Sequence, residues 1–183
     1  MQPLLSWFFL YAWEQRELEN IAIYRRGSFP QPYGNKEWYG GELCMPFVQI
    51  VDVRNVLKLE NETKQTISKL AQPMSVYVPK NTIIVTLQGS IGRVAITQYP
   101  AYFDRTILIF EKYKEQISNV FWAYTIQNKF EIERQKAPGG TIKTITKEAL
   151  SSFDLSLPKV NEQEKIGALF SNLDNLITLH QQE

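Results

Sequence analysis

Residues 157–180 read "LPKVNEQEKIGALFSNLDNLITLH". Pro158 closes whatever precedes it, and Asn161 with Glu164 three residues later gives a capping-box-like start in which Asn stands in for Ser or Thr. From there Ile166, Leu169, Leu173, Leu176 and His180 recur in alternating steps of three and four, and Phe170 and Ile177 widen the stripe. The spacing predicts a helix within 159–183 whose apolar face is broad enough to need a cover. Because it is the last predicted element, the expected cover is a helix of a second chain or repeat. Packing on the domain's own body is the alternative.

Upstream of this helix the pattern changes from period 3.6 to short β-branched runs. "MPFVQIVDV" (45–53), "SVYVP" (75–79), "TIIVTLQ" (82–88), "RVAITQ" (93–98) and "RTILIFEKY" (105–113) are each bounded by Gly, Pro, Asn or Asp, and together predict a small sheet. Residues 118–135 place Val120, Phe121, Tyr124, Phe130 and Ile132 at helical intervals, and Pro138 with Gly139 stops that helix. "SSFDLSLPKV" (151–160) predicts one more short strand. Nearer the start, "EQRELENIAIY" (14–24) predicts a short helix with Leu18 and Ile21 on one side. "RRGSFPQPYGNKEWYGG" (25–41), with two prolines and four glycines, predicts a long polar-aromatic loop. The expected fold class is α+β: a small mixed or antiparallel sheet with packed helices, followed by a long C-terminal coiled-coil helix.

Bulk properties narrow the function. The 183 residues, 44% hydrophobic, suffice for one globular domain with a proper core. A formal charge of +1 argues against a polybasic tail, although 20 Lys+Arg and 19 Asp+Glu can still segregate into faces. Cys44 is the sole cysteine, which excludes an intrachain disulfide and a Cys-rich zinc site and fits a reducing, cytoplasmic setting. The apolar opening "MQPLLSWFFLYAW" (1–13) is shorter than the roughly 20 helical residues a bilayer requires, and it lacks the basic start and cleavage site of a secretory signal. No membrane association is expected. Residues 1–12 either pack on the domain or a partner, or trail as an appendage.

Catalytic constellations are missing from the pattern. "TLQGSIGRVAI" (86–96) has glycines at 89 and 92, but Arg93 is followed by Val94 where a phosphate loop needs Lys and Ser or Thr, so a glycine-bearing hairpin is expected. His180 is the only histidine and falls in the terminal stripe, while Asp52, Asp104 and Asp154 show no ligand-like spacing. Neither a metal nor a cofactor is expected; a carboxylate pair assembled by the fold stays open. Tyr33, Trp38 and Tyr39 are read as loop anchors, with stacking platforms as the alternative. The stretch "RQKAPGGTIKTITKEAL" (134–150) offers Arg134, Lys136, Lys143 and Lys147 with Thr141, Thr144 and Thr146 around a Pro-Gly-Gly turn. Cations, hydroxyls and freed amides suit phosphate contacts, and a solvated basic turn is the equal alternative.

In this order and spacing, the segments resemble the specificity subunits of type I restriction-modification enzymes. "GSFPQPYGNKEWYGG" (27–41) leading into "MPFVQIVDV" is similar to the opening of a target-recognition domain. "GSIGRVAI" (89–96) is similar to the family's glycine hairpin, and "APGGTIKTITKEALSSFDLSLP" (137–158) to its loop after the domain helix. The most specific piece is the opening quotation, where Pro, Glu-Gln and Ile lead into an apolar helix. The resemblance runs from "AWEQRELENIA" (12–22) to the C-terminus, whereas "MQPLLSWFFLY" departs from the family's more polar lead-in.

The resemblance implies a non-catalytic subunit that reads double-stranded DNA and directs methyltransferase subunits and a restriction/motor subunit to a split site. Residues 1–12 would be a lead-in, 13–158 a target-recognition domain and 159–183 a spacer helix. Family members carry two recognition domains held apart by paired helices. One of each here implies either a fragment of a longer subunit or a half-subunit that forms a homodimer through Ile166, Leu169, Leu173, Leu176, Ile177 and His180. It also implies DNA contacts from Ser28, Tyr33 and Lys36 in the first loop, Gln49 and Arg54 around the first strand, Gln88, Ser90 and Arg93 at the hairpin, and Lys136, Thr141, Lys143 and Lys147 at the Gly-Gly loop. A protein-interaction or regulatory fragment that pairs with other specificity subunits without reading DNA is the second expectation.

Overall fold

The computed structural model describes residues 13–54, 56–136, 145 and 147–180, leaving out the side chains of Lys136, Lys147 and Glu148. Its elements in chain order are β1 (Glu14–Glu17), α1 (Leu18–Ile21), β2 (Ala22–Arg26), β3 (Met45–Val48), β4 (Gln65–Ile67), β5 (Val76–Val78), β6 (Ile83–Thr86), β7 (Val94–Ile96), β8 (Ala101–Phe103), β9 (Ile107–Tyr113), α2 (Asn119–Lys136), α3 (Lys147–Ser151), β10 (Asp154–Leu157) and α4 (Val160–His180). The fold is α+β.

Two four-stranded sheets, ordered β2-β9-β6-β7 and β4-β3-β8-β5, stand beside a two-stranded ribbon of β1 and β10. All pairings are antiparallel except β3 with β8. The single small sheet expected from sequence is therefore two. The reason lies in β6 and β9, whose alternate residues face opposite cores. Ile83, Val85, Leu108 and Phe110 join the helix-side cluster, while Ile84, Ile107 and Ile109 join Val48, Val78 and Phe103 between the sheets. A strand apolar on both faces reads as an unbroken run, and that run needs a layer on each side.

The expected helix over 14–24 shrinks to the one turn of α1. Leu18 and Ile21 are fully buried as the spacing required, but the flanking residues pair with β10 and β9. Sheet pairing outside the local window overrides helical periodicity there.

Helix α2 lies on the helix-side core with Phe121, Trp122, Ile126 and Phe130 buried. Helix α4 starts at Val160, where the Glu162 and Gln163 amides both donate to the Lys159 carbonyl at 2.9 and 3.0 Å. Asn161 thus sits in the first turn instead of capping it. Gln163 performs the anchoring. Buried at 3% exposure, it donates from Nε2 to the Pro158 carbonyl at 2.9 Å and accepts the Ser118 amide at 3.1 Å, tying the starts of α4 and α2 together. Gly167 permits the crossing: a Cβ there would lie 3.0 Å from the Phe121 nitrogen. Farther along, Tyr124 donates to Asp174 at 2.6 Å and packs its ring at a tilt on Phe170, with centroids 5.1 Å apart.

Candidate nucleic-acid interface

The first loop is fixed by an aromatic cluster. Phe29 sits at its centre, with ring centroids 5.1 Å from Tyr33, 5.2 Å from Tyr39 and 4.4 Å from Phe47, and Trp38 packs alongside. Tyr33 donates its hydroxyl to Asp104, and the Tyr39 hydroxyl donates to the Tyr33 carbonyl at 2.8 Å. Burial, the bond to Asp104 and that carboxylate's charge hold the Tyr33 hydroxyl well above the usual phenol range. These are the contacts of loop anchors. Ser28 is also engaged, donating to the Met74 carbonyl at 3.2 Å, whereas Lys36 is exposed at the head of a 3₁₀ turn.

Past β3, a 3₁₀ turn over Ile50–Asp52 carries Gln49 and Arg54 on its shoulders. Buried Asp52 accepts the Gln49 and Lys64 amides, each at 2.8 Å. Asp104 likewise accepts the Thr106 hydroxyl at 2.6 Å besides Tyr33. Each buried carboxylate is taken up by loop donors, so these two aspartates tie backbone segments together. The residues 87–93 between β6 and β7 form the expected glycine hairpin loop, with Gly89 and Gly92 at φ +62° and +85°. This loop touches the 49–54 turn at two points. Ile50 Cδ1 lies 3.6 Å from where a Gly89 Cβ would stand, and the Arg93 guanidinium donates to the Val53 carbonyl at 3.3 Å.

First loop, turn and hairpin are therefore neighbours. Gln49, Tyr33, Lys64 and Thr106 line a shallow recess of about 390 Å³ at this surface. Arg105 reaches over the Tyr33 ring, 5.2 Å from its centroid, and Arg54 is exposed in a loose pair with Glu60 at 3.7 Å. Gln88 is exposed, and among the described residues nothing hydrogen-bonds its side chain; Ser90 is half-buried beside it. Lys64 and Arg105 were not singled out from sequence. Their signal was weak, since each is an isolated cation in a polar turn. Lys136, Thr141, Lys143 and Lys147 lie outside the described residues or have undescribed side chains, as do Thr144 and Thr146. Of this stretch the described Ile145 is buried, and its carbonyl accepts from Arg26 at 3.2 Å.

Helix α4 leaves most of its apolar stripe exposed, and its Leu169 and Phe170 share a groove with Ser90 and Arg93 of the hairpin. Ile166 packs against the helix-side core, but Leu169, Leu173, Leu176 and Ile177 are 57, 44, 56 and 54% exposed, and His180 is exposed at the end of the helix. Among the described residues no group of three or more His, Cys, Asp or Glu could hold a metal ion, and no helix is long and apolar enough to cross a membrane.

The family model described as "Type I restriction modification DNA specificity domain" matches residues 12–183. The chain belongs to this family. The specificity domain is 25% identical over 173 residues to the type I restriction enzyme MjaIX specificity subunit of Methanocaldococcus jannaschii, covering 90% of this chain and 38% of that protein. Among solved structures it resembles the HsdS subunit of Thermoanaerobacter tengcongensis, with a TM-score of 0.68 at 13% identity over 97% of this chain and 44% of that one. A structure described as showing complex assembly and conformational transition of the type I R-M system gives a TM-score of 0.69 at 16% identity, covering 93% of this chain and 40% of that one. The specificity domain thus spans about two-fifths of the length of these relatives, and the structural likenesses establish its α+β fold.

Proposed function

We propose that this chain is the DNA-reading part of a type I restriction-modification system, itself non-catalytic, and that it directs methyltransferase and restriction/motor subunits to a split DNA site in the cytoplasm. Residues 13–158 are the recognition domain and 159–183 the spacer helix. The observation that carries this reading is the family match over 12–183, on a fold whose first loop, 49–54 turn and hairpin meet at one surface. Gln49 and Gln88 suit adenine edges and Arg54 a guanine edge. Such paired bonds discriminate bases by about 1–3 kcal/mol each. Lys36, Lys64, Arg105 and the lysines at 136, 143 and 147, with Ser28, Ser90 and Thr141, supply phosphate contacts. Arg93 and Tyr33, committed to the Val53 carbonyl and to Asp104, act from the second row.

The uncovered face of α4 supports pairing with a second copy, which would restore the two recognition domains of a full subunit. The exposed leucines also suit the alternative of a pairing fragment that never reads DNA. Incubating the chain with a randomised duplex library, with and without its methyltransferase subunit, separates the two. Enrichment of two matching half-sites, stronger with the partner, is expected; a stable complex without enrichment would leave only the pairing fragment. Near-neutral charge predicts weak binding by the chain alone, and log K falling with log salt at about −0.9 per phosphate neutralised checks the electrostatic share.

A further inference from the structure

The hairpin loop carries its exposed polar groups on a backbone that one buried hydroxyl organises. Thr86, the last residue of β6, is fully buried, although a threonine there gains nothing over valine unless its oxygen is used. Both of its hydrogen-bonding capacities are used inside the loop. The hydroxyl donates to the Ser90 carbonyl and accepts the Arg93 amide at 3.1 Å, while the Thr86 backbone accepts from Gly92 and donates to the Arg93 carbonyl, each at 3.0 Å. Gly92 then seats the loop on α2, since a Cβ there would stand 2.9 Å from the Phe130 Cβ. From this anchored frame Arg93 reaches across to the Val53 carbonyl, so the hairpin's geometry is passed to the 49–54 turn.

We infer that Thr86 is a positioning residue for specificity: its hydroxyl fixes the loop that presents Gln88 and Ser90 and, through Arg93, the register of that loop against Gln49. This rests on the proposed DNA-reading function. The hydroxyl touches no DNA. Its loss would leave the Lys and Arg phosphate contacts of the other loops in place while Gln88 and, through Arg93, Gln49 lose their fixed frame. Discrimination should fall and non-specific grip should not. That split separates positioning from simple stabilisation, which would lower both together.

The test uses the full chain with its methyltransferase subunit and the randomised duplex library. Thr86→Ser and Thr86→Ala both lack the methyl group and differ only in the hydroxyl, and Thr86→Val restores the volume without it. Thr86→Ser should keep the enriched motif, whereas Thr86→Ala and Thr86→Val should broaden it at the hairpin-read positions by about tenfold in discrimination, with an unchanged salt slope. A folded Thr86→Ala that keeps the full motif overturns this inference alone. A wild-type chain that selects no motif overturns the DNA-reading function and this inference with it. Amide exchange needs no variant: the Arg93 amide should be protected in the wild type, and exchange as fast as an open loop would remove the staple itself.

Discussion

Helices α2 and α4 are of similar length, 18 and 21 residues, yet they meet opposite fates. The buried face of α2 shares only Phe121 and Phe130 with the set expected from sequence, and Ile132 of that set is 39% exposed. In α2 Phe121, Trp122, Ile126 and Phe130 are at most 3% exposed beneath the sheet, whereas Leu169, Leu173, Leu176 and Ile177 of α4 are between 44 and 57% exposed. An apolar stripe records that a face will be covered, not by what. In α2 the cover is supplied by β-strands of the same chain. In α4 the contact with the body runs from Gln163, Ile166 and Gly167 to Phe170 and Asp174, while Leu169, Leu173, Leu176 and Ile177 stay largely exposed. Large contiguous apolar faces on a soluble domain mark interaction surfaces.

The two helices should therefore respond oppositely to substitution, and the largest effect belongs to α2. Trp122→Ala removes a fully buried ring at the centre of the helix-side core and should destabilise the chain by about 3–5 kcal/mol in urea unfolding. Leu173→Asp with Leu176→Asp should shift the same unfolding curve by no more than about 0.5 kcal/mol once the chain is monomeric, because both positions are exposed. Sedimentation should show those substitutions abolishing self-association. A double Asp variant that lost monomer stability on the scale of Trp122→Ala would break the comparison, since α4 would then belong to the core.

How much of this was legible in the sequence follows from the range of the forces involved. Local periodicity and punctuation were enough for β3, β5, β6, β7, β9, β10 and both long helices, because their runs are continuous and bounded. Strands β4 and β8 are no shorter than β5 and β7, but they lack the β-branched run that marked those two, and they exist through their pairing with β3 and β5. The α1 segment has correct helical spacing at Leu18 and Ile21 and still yields to strand pairing from residues over 80 positions away. At the interface, the glycine hairpin and the aromatic first loop were readable as loops. That Arg93 bonds the Val53 carbonyl, that Tyr33 meets Asp104, or that Thr86 organises the hairpin depends on which loops the two sheets bring together. No spacing rule reaches across that distance.

A smaller effect tests where the body of the protein ends along α4. Gly167→Leu would push a side chain into the Phe121 backbone and Val120, where even a Cβ lies 3.0 and 3.3 Å from its neighbours. Overpacking of this kind costs about 1–3 kcal/mol, and the gain in helix propensity over glycine, about 1 kcal/mol, offsets part of it. Ala168→Leu, one residue on and exposed, serves as the control and should leave the urea midpoint in place. Equal behaviour of the two variants would mean that α4 is not seated on α2 at its first turns.

The smallest effect concerns the last contact between the helices. Burial, together with the hydrogen bond and charge of Asp174, pushes the Tyr124 phenol up from 10.0 to about 12. The folded state thus holds this proton more tightly than the unfolded chain does. The resulting stabilisation is fully present below pH 10 and is lost as pH rises through about 12. Tyr99, raised to about 12 mainly by burial, titrates in the same window, so the diagnostic quantity is the difference between wild type and Tyr124→Phe. Urea midpoints followed from pH 9 to pH 12 should fall more steeply for the wild type, because the variant keeps the ring against Phe170 but has no proton to lose. Identical slopes would mean that the Tyr124–Asp174 bond does not hold in solution. The seated part of α4 would then end nearer Gly167, and more of the helix would be free for a partner.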